Sequence, residues 1–335
     1  MDKKLRWGVI GAAGINQSVL PAIQASTTGS VMAIASRDLV KAQNAAKKFN
    51  IPTAYGSYEE LLLDNQIDAV YIPLPNHLHK EWTIRAAEAG KHVLCEKPIA
   101  LNAGEAQKMV DACAKANVKL AEAFMYRHNP RLDRIKEIIA SGEIGQIRAL
   151  HGAFTFNNAQ DKNNVRYRAE WGGGSVYDVG CYPLSLARLI MGSEPIAVTA
   201  HAFFSQEHDG VDMMCSGLIE FSDQVAMTFD CGMWADSRQT FEILGTEGRI
   251  EMTQAYLPDA NNADFIVIAK GERREEKAVF QNPYTLQADN FARSIFGEQP
   301  LRFDSQDAIL NMRLIDTVLK SAKEKTRISL APSGK

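Results

Sequence analysis

A lysine preceded by a carboxylate stands at Glu96-Lys97-Pro98, where a short apolar run, His92 to Cys95, meets a proline. The run reads as a buried strand. In open parallel α/β sheets ligands bind beyond the carboxyl ends of the strands, so a lysine there points at whatever the sheet holds. The proline that follows restricts the backbone of Lys97 to extended conformations. An ammonium in that place can bind a reacting oxygen or tune a neighbouring acid. Glu-Lys-Pro taken alone is more simply an exposed turn, because lysines are mostly exposed. The elements before it change that balance.

Leu5 to Ile10 reads as a buried strand, followed by Gly11-Ala12-Ala13-Gly14-Ile15-Asn16 and an apolar-periodic helix through Val19, Leu20 and Ile23. Strand, glycine turn and helix make the context in which backbone N–H groups face a pyrophosphate. Ala13 and Asn16 stand where the second and third glycines of that fingerprint belong, and an ordinary βα turn explains the motif about as well. Strand two, Val31 to Ala35, ends in Ser36-Arg37-Asp38. An acid first after this strand binds the ribose 2′-OH of NAD, whereas an arginine accommodates a 2′-phosphate. Arg37, with Lys41 one helical turn on, therefore favours NADP over NAD; the plainer alternative is a solvated loop charge. Asp38 reads as the cap of the next helix.

Strand four, Asp68 to Ile72, ends in Pro73-Leu74-Pro75, and a helix opens at Asn76 and closes at Gly90. Strand five is the opening run, and strand six is Lys119 to Phe124. Regular alternation of strands and helices specifies a doubly wound parallel sheet. Pro73, Asn76 and His79 follow strand four, and Glu96 and Lys97 follow strand five. All lie on the rim that carries Gly11, Ala13, Gly14, Ile15, Asn16, Ser36, Arg37 and Lys41, and these are the candidate cofactor contacts. His77 and His79 do not share a helix face and have no Cys or Asp at ligand spacing, so no metal is expected.

The remaining composition is that of a globular chain of 335 residues with about two domains. The net charge of -3 comes without a basic block, which argues against nucleic acid. Cysteines at 95, 113, 181, 215 and 231 contain no CxxC, so reduced thiols and a cytoplasmic location are expected. Lys3, Lys4 and Arg6 before an apolar run imitate a signal peptide, but a strand and glycine turn begin at once. No apolar run approaches the ~18 residues of a membrane span.

Phe124 to Pro130 reads as the linker, which divides the chain into a dinucleotide-binding domain, 1–124, and a second domain, 125–335. Arg131 to Ser141 reads as a helix, and Val179 to Met191 as another with Asp178 near its start and Tyr182 one turn later, on the same face. After Ile196 the apolar period changes to two: Val198 to Phe204, Met213 to Phe221, Val225 to Gly232, Thr240 to Gly245 and Arg249 to Met252 read as strands, with a turn at Asp223. Asn282 to Ile295 and Ser305 to Lys323 read as closing helices. A βαβ half followed by runs of strands makes the whole α/β with an α+β second domain.

Pro75-Asn76-His77-Leu78-His79, then Ala87-x-Ala89-Gly90-Lys91-His92-Val93-x-x-Glu96-Lys97-Pro98, resembles the Gfo/Idh/MocA oxidoreductases. Glu122 to Arg127, Gly142-Glu143-Ile144-Gly145, and Asn164-Val165-Arg166 through Tyr177-Asp178-Val179-Gly180-Cys181-Tyr182-Pro183 carry the same likeness. The resemblance implies an N-terminal Rossmann domain, a C-terminal domain with a large, mostly antiparallel sheet that often forms the dimer interface, and a sugar-like or diol substrate. It implies catalytic roles for Lys97, Asp178 and Tyr182. Tyr182, where inositol dehydrogenases usually carry His, points to the glucose-fructose oxidoreductase, xylose dehydrogenase and dihydrodiol dehydrogenase side. Those relatives commonly use NADP.

On this reading Tyr182 exchanges a proton while Lys97 binds the reacting oxygen and favours the tyrosinate; the reverse assignment of the base to Lys97 stays open. Asp178 holds a substrate hydroxyl or orients Lys97, and Arg166 lines the substrate pocket. Tyr167 and Trp171 either stack on a sugar face or pack the core. The expected assembly is a homodimer or homotetramer. The alternatives are an NAD-dependent inositol-type dehydrogenase and a dinucleotide-binding sensor on the same fold.

Overall fold

The computed structural model describes residues 4–222, 224–257, 265–277 and 279–330; Lys3 and Asp223, singled out above, lie outside them. The chain divides into two compact units: Met1–His128 with Gln281–Met312, and Asn129–Phe280 with Arg313–Lys335.

In the first unit the strands are β1 (Leu5–Ile10), β2 (Gly29–Ala35), β3 (Thr53–Tyr55), β4 (Ala69–Ile72), β5 (His92–Cys95) and β6 (Leu120–Glu122). Among the described residues they form one parallel sheet in the order β3-β2-β1-β4-β5-β6. The order reverses between β1 and β4, and at that switch point doubly wound sheets open a crevice for ligands. Helices α1 (Asn16–Ala25), α2 (Leu39–Phe49), α3 (Tyr58–Leu63), α4 (Asn76–Glu88) and α5 (Ala103–Lys115) connect the strands. With helices on both faces, β4 is buried at every position, which is why Ala69-Val70-Tyr71-Ile72 shows no alternation.

In the second unit α6 (Arg131–Ala140) precedes β7 (Ile147–Asn157). The helix expected from Val179 begins earlier and differently: Val176–Gly180 is a π-helical turn, and α7 (Cys181–Met191) continues from it. Such wider turns are rare and concentrate at functional sites. The strands β8 (Ala197–Ser205), β9 (Val211–Glu220), β10 (Ala226–Gly232), β11 (Trp234–Gly245), β12 (Gly248–Met252), β13 (Phe265–Ala269), β14 (Glu272–Glu276) and β15 (Ile328–Ser329) complete a sheet with β7. Its order among the described residues is β14-β13-β12-β11-β7-β10-β9-β8-β15. β7 and β10 run parallel, and the other pairs are antiparallel.

Helix α8 (Pro283–Phe296) follows β14 in the chain, and the sequence reading placed it in the second domain. It packs in the first unit instead. Phe291 lies 5.3 Å from the Trp7 ring, and Thr285 Oγ1 donates to the Ala22 carbonyl at 3.1 Å. Asp289 accepts from Thr28 Oγ1 at 2.5 Å. Burying a phenylalanine contributes about 1.5–3 kcal/mol, and chain order exerts no comparable pull. The last helix is α9 (Ser305–Glu324).

Candidate active site

Gly11 closes the turn after β1 at φ +123°, and a Cβ there would stand 2.9 Å from Leu74 Cδ2. The loop after β4, with Pro73 buried, therefore backs the glycine turn. Asn16 is 1% exposed and its Nδ2 donates to the Gly11 carbonyl at 2.9 Å, so it braces the turn from inside. The outer surface is open: Ala12 and Gly14 are exposed, Ala13 and Ile15 half-buried, and a Cβ added at Gly14 would meet nothing within 4 Å. Ile15 precedes α1 without a side-chain cap, and the first turn of α1 carries no acid. The positive end of the helix dipole faces that surface undiminished, and a pyrophosphate fits it.

After β2, Ser36 is buried and its Oγ accepts from Asp38 N at 3.3 Å. Asp38 caps α2, as its position suggested, accepting from Val40 N at 3.0 Å and Lys41 N at 3.2 Å. Arg37 and Lys41 are exposed beside it. Burial raises the pKa of the Tyr58 hydroxyl, and the Arg37 charge pulls the other way.

Lys97, half-buried, follows β5 and is joined to Pro98 by a cis peptide. Its N–H donates to Glu96 Oε2 at 3.2 Å, while Glu96 Oε1 accepts from the Tyr71 hydroxyl at 2.6 Å. Burial raises the pKa of Glu96, with Tyr71 and the Lys97 charge opposing. The carboxylate thus supports the lysine's backbone from below. Asn76, half-buried, opens α4. His79, expected among the cofactor contacts, is fully buried: Nδ1 stands 2.9 Å from the Pro98 carbonyl and Nε2 2.7 Å from that of Leu74. Burial lowers its pKa to about 4 against the upward pull of the two carbonyls, and the ring links the loops after β4 and β5. Its ring presents no surface to a ligand or metal.

In the second unit Arg166 Nε donates to Asp178 Oδ2 at 2.6 Å, and Arg166 Nη1 to Asn164 Oδ1 at 3.3 Å. The Asp178 charge raises the pKa of Arg166. Asp178 stands in the π-helical turn, and Tyr182 follows in the first turn of α7. The Tyr182 ring is 6% exposed and lies 5.2 Å from Phe154 and 5.7 Å from Tyr256. Tyr167 is a core residue: it is 1% exposed and packs among Val211, Met213 and Met233. Trp171 is half-buried.

Tyr71, Phe154, Tyr256 and Asp212 support these groups and were not singled out from the sequence. Asp212 had a visible signal, a lone acid in the apolar run Val211-Asp212-Met213-Met214-Cys215. Its Oδ2 accepts from Ser175 Oγ at 2.6 Å and Val176 N at 2.8 Å, yet burial still lifts its pKa from 3.8 to about 6. The folded protein therefore holds this proton to a higher pH than the unfolded chain. Acidification from pH 8 to pH 5 stabilises through this group by about 1 kcal/mol. The unfolding penalty of Asp212→Asn, which cannot titrate, is expected to be larger at pH 5 than at pH 8 by that amount. Urea unfolding at both pH values reads it, and equal penalties refute the raised pKa.

A doubly wound sheet with an open glycine turn, cations after β2 and a lysine at the same rim defines a nicotinamide-dependent oxidoreductase. Residues 5–124 match the model of an oxidoreductase family with an NAD-binding Rossmann fold, and 132–251 match the GFO/IDH/MocA C-terminal domain. The chain belongs to the Gfo/Idh/MocA family of oxidoreductases. It is 39% identical to a D-xylose 1-dehydrogenase (NADP(+)) of Haloferax volcanii, over 97% of this chain and 100% of that one. It is 30% identical to a trans-1,2-dihydrobenzene-1,2-diol dehydrogenase of Xenopus tropicalis, over 98% and 93%. The crystal structure of a 3-ketoreductase from Actinomadura kijaniata, in complex with NADP and TDP-benzene, is similar at TM-score 0.90 and 29% identity, covering 95% of this chain and 98% of that one. Among the described residues no helix is long and apolar enough to cross a membrane, and no three His, Cys, Asp or Glu side chains form a metal cluster.

Proposed function

We propose that the chain is an NADP-dependent oxidoreductase acting on a hydroxyl or carbonyl group of a sugar or diol. The observation that carries the reading is Arg37, exposed just after β2, with Lys41, exposed in the first turn of α2, where Asp38 is occupied in capping the helix. The relatives named for NADP, xylose, a dihydrodiol and a 3-ketoreduction support it.

When bound, NADP takes or supplies the hydride. The outer face of Ala13, Gly14 and Ile15 holds the pyrophosphate, and Ser36, Arg37 and Lys41 hold the 2′-phosphate. Asn16, Pro73, His79 and Glu96 act behind these contacts, and Asn76 faces the nicotinamide or substrate. Tyr182 accepts the hydroxyl proton when an alcohol is oxidised and returns it in the reverse direction. An isolated tyrosine, with a pKa of ~10, is a poor base at neutral pH. Lys97 binds the reacting oxygen, and its charge favours the ionised tyrosine. Asp178, balanced by Arg166, accepts from a substrate hydroxyl.

Arg37→Asp is expected to weaken NADP binding at least tenfold, about 1.4 kcal/mol, and to narrow the preference over NAD. Calorimetric titration of both cofactors tests it; unchanged NADP affinity removes the basis for the cofactor assignment. The reading also places the protein in the cytoplasm as a homodimer or homotetramer. Phe203 and Trp234, exposed on the nine-stranded sheet with rings 4.8 Å apart, support an interface there, and sedimentation measures the assembly.

A further inference from the structure

We propose that Asp212 is a positioning residue for the Arg166–Asp178 pair; this rests on the reading that the pair holds substrate. Asp212 stands on β9 and is 2% exposed. Its Oδ2 accepts from Ser175 Oγ at 2.6 Å and from Val176 N at 2.8 Å, and Val176 is the first residue of the π-helical turn. A carboxylate in that place satisfies N–H groups that an opening turn leaves without intrahelical partners. Asp178 is two residues further along the same turn.

The other oxygen lies against Gly174, two residues before the turn begins. Gly174 has φ +116°, and a Cβ there would stand 2.1 Å from Asp212 Oδ1, so only glycine lets the carboxylate approach this closely. Gly174 N donates to the Arg166 carbonyl at 2.9 Å. One carboxylate thus grips the turn that carries Asp178 and presses on the glycine bonded to the backbone of Arg166. The two side chains meet at 2.6 Å because their backbones are set from this common support. A buried acid is costly unless it is hydrogen-bonded, and this one directs its side-chain oxygens to the turn.

Asp212→Ala and Asp212→Asn test the assignment, with substrate KM, kcat, NADP Kd and hydrogen exchange of peptides covering 164–182 as readouts. Asp212→Ala is expected to raise substrate KM at least tenfold, leave NADP Kd within twofold, and accelerate exchange over Ser175–Gly180 at least tenfold. Asp212→Asn keeps an oxygen for Val176 N and is expected to bring KM back to within threefold of the native value. Unchanged exchange over 175–180 in Asp212→Ala overturns the proposal. Faster exchange with an unchanged KM overturns it too, because that is a packing role alone. Should Asp212→Ala fail to fold, Ser175→Ala removes one of the two contacts on Oδ2 and must shift KM and exchange in the same direction; no shift overturns the proposal. If the native protein turns over no sugar or diol, the functional reading falls, and the exchange arm still decides whether Asp212 holds the turn.

Discussion

Tyr182→Phe is expected to lower kcat by about 10²–10⁴-fold, the usual contribution of a positioned acid or base. That range corresponds to about 3–5 kcal/mol of barrier. The substitution removes one oxygen and keeps the ring, which is 6% exposed and packed 5.2 Å from Phe154 and 5.7 Å from Tyr256. A volume-conserving change among those aromatics is expected to alter stability by less than about 1.5 kcal/mol. NADP binds on the first unit in this reading, so its affinity is expected to stay within a few-fold. The signature is therefore a collapse of turnover in a protein that unfolds at nearly the native urea concentration. Turnover within tenfold of native would mean that another group carries the proton.

Lys97→Met is expected to cost about 10²–10³-fold in kcat, the scale set by removing one charged or hydrogen-bonding group from a reacting oxygen. Methionine keeps much of the apolar stem and discards the charge. The Glu96 carboxylate accepts from the backbone N–H of Lys97, which the substitution retains, so the loop keeps its support. A second effect separates the two assignments of the base. If Tyr182 is the base and Lys97 tunes it, the rising limb of the kcat profile for oxidation moves to higher pH in Lys97→Met by at least one unit. Residual activity with an unmoved limb would assign Lys97 to oxygen binding alone. Loss of the limb altogether would make Lys97 the base.

The parallel sheet was legible because most strands there, β1, β2, β4 and β5 among them, are short apolar runs ended by Gly, Pro or a charged turn. His92 to Cys95 was read with the bounds that the structure gives. The charged edge strand β14, Glu-Arg-Arg-Glu-Glu, was not legible, since it has no apolar alternation. Charges on an edge strand prevent pairing with other chains, and that role erases the period-two signal. The return of α8 to the first unit was hidden for another reason: its apolar stripe shows that it packs, and nothing local shows where. Lys97, Asp178 and Arg37 could be picked out as exposed-type residues at strand ends or in motifs. The buried polar residues could not be assigned, because burial decides between contact and support. His79 and Asn16 look the same in sequence whether they touch a ligand or brace a turn.

The most direct measurement follows absorbance of the reduced nicotinamide in purified protein given NADP or NAD with aldoses, inositols and dihydrodiols. Catalysis by Lys97 and Tyr182 with a 2′-phosphate held at Arg37 predicts turnover of an aldose or dihydrodiol that is faster with NADP than with NAD. Tight NADP binding without turnover of any of them, the behaviour of a dinucleotide sensor, would contradict it, as would turnover confined to inositols with NAD.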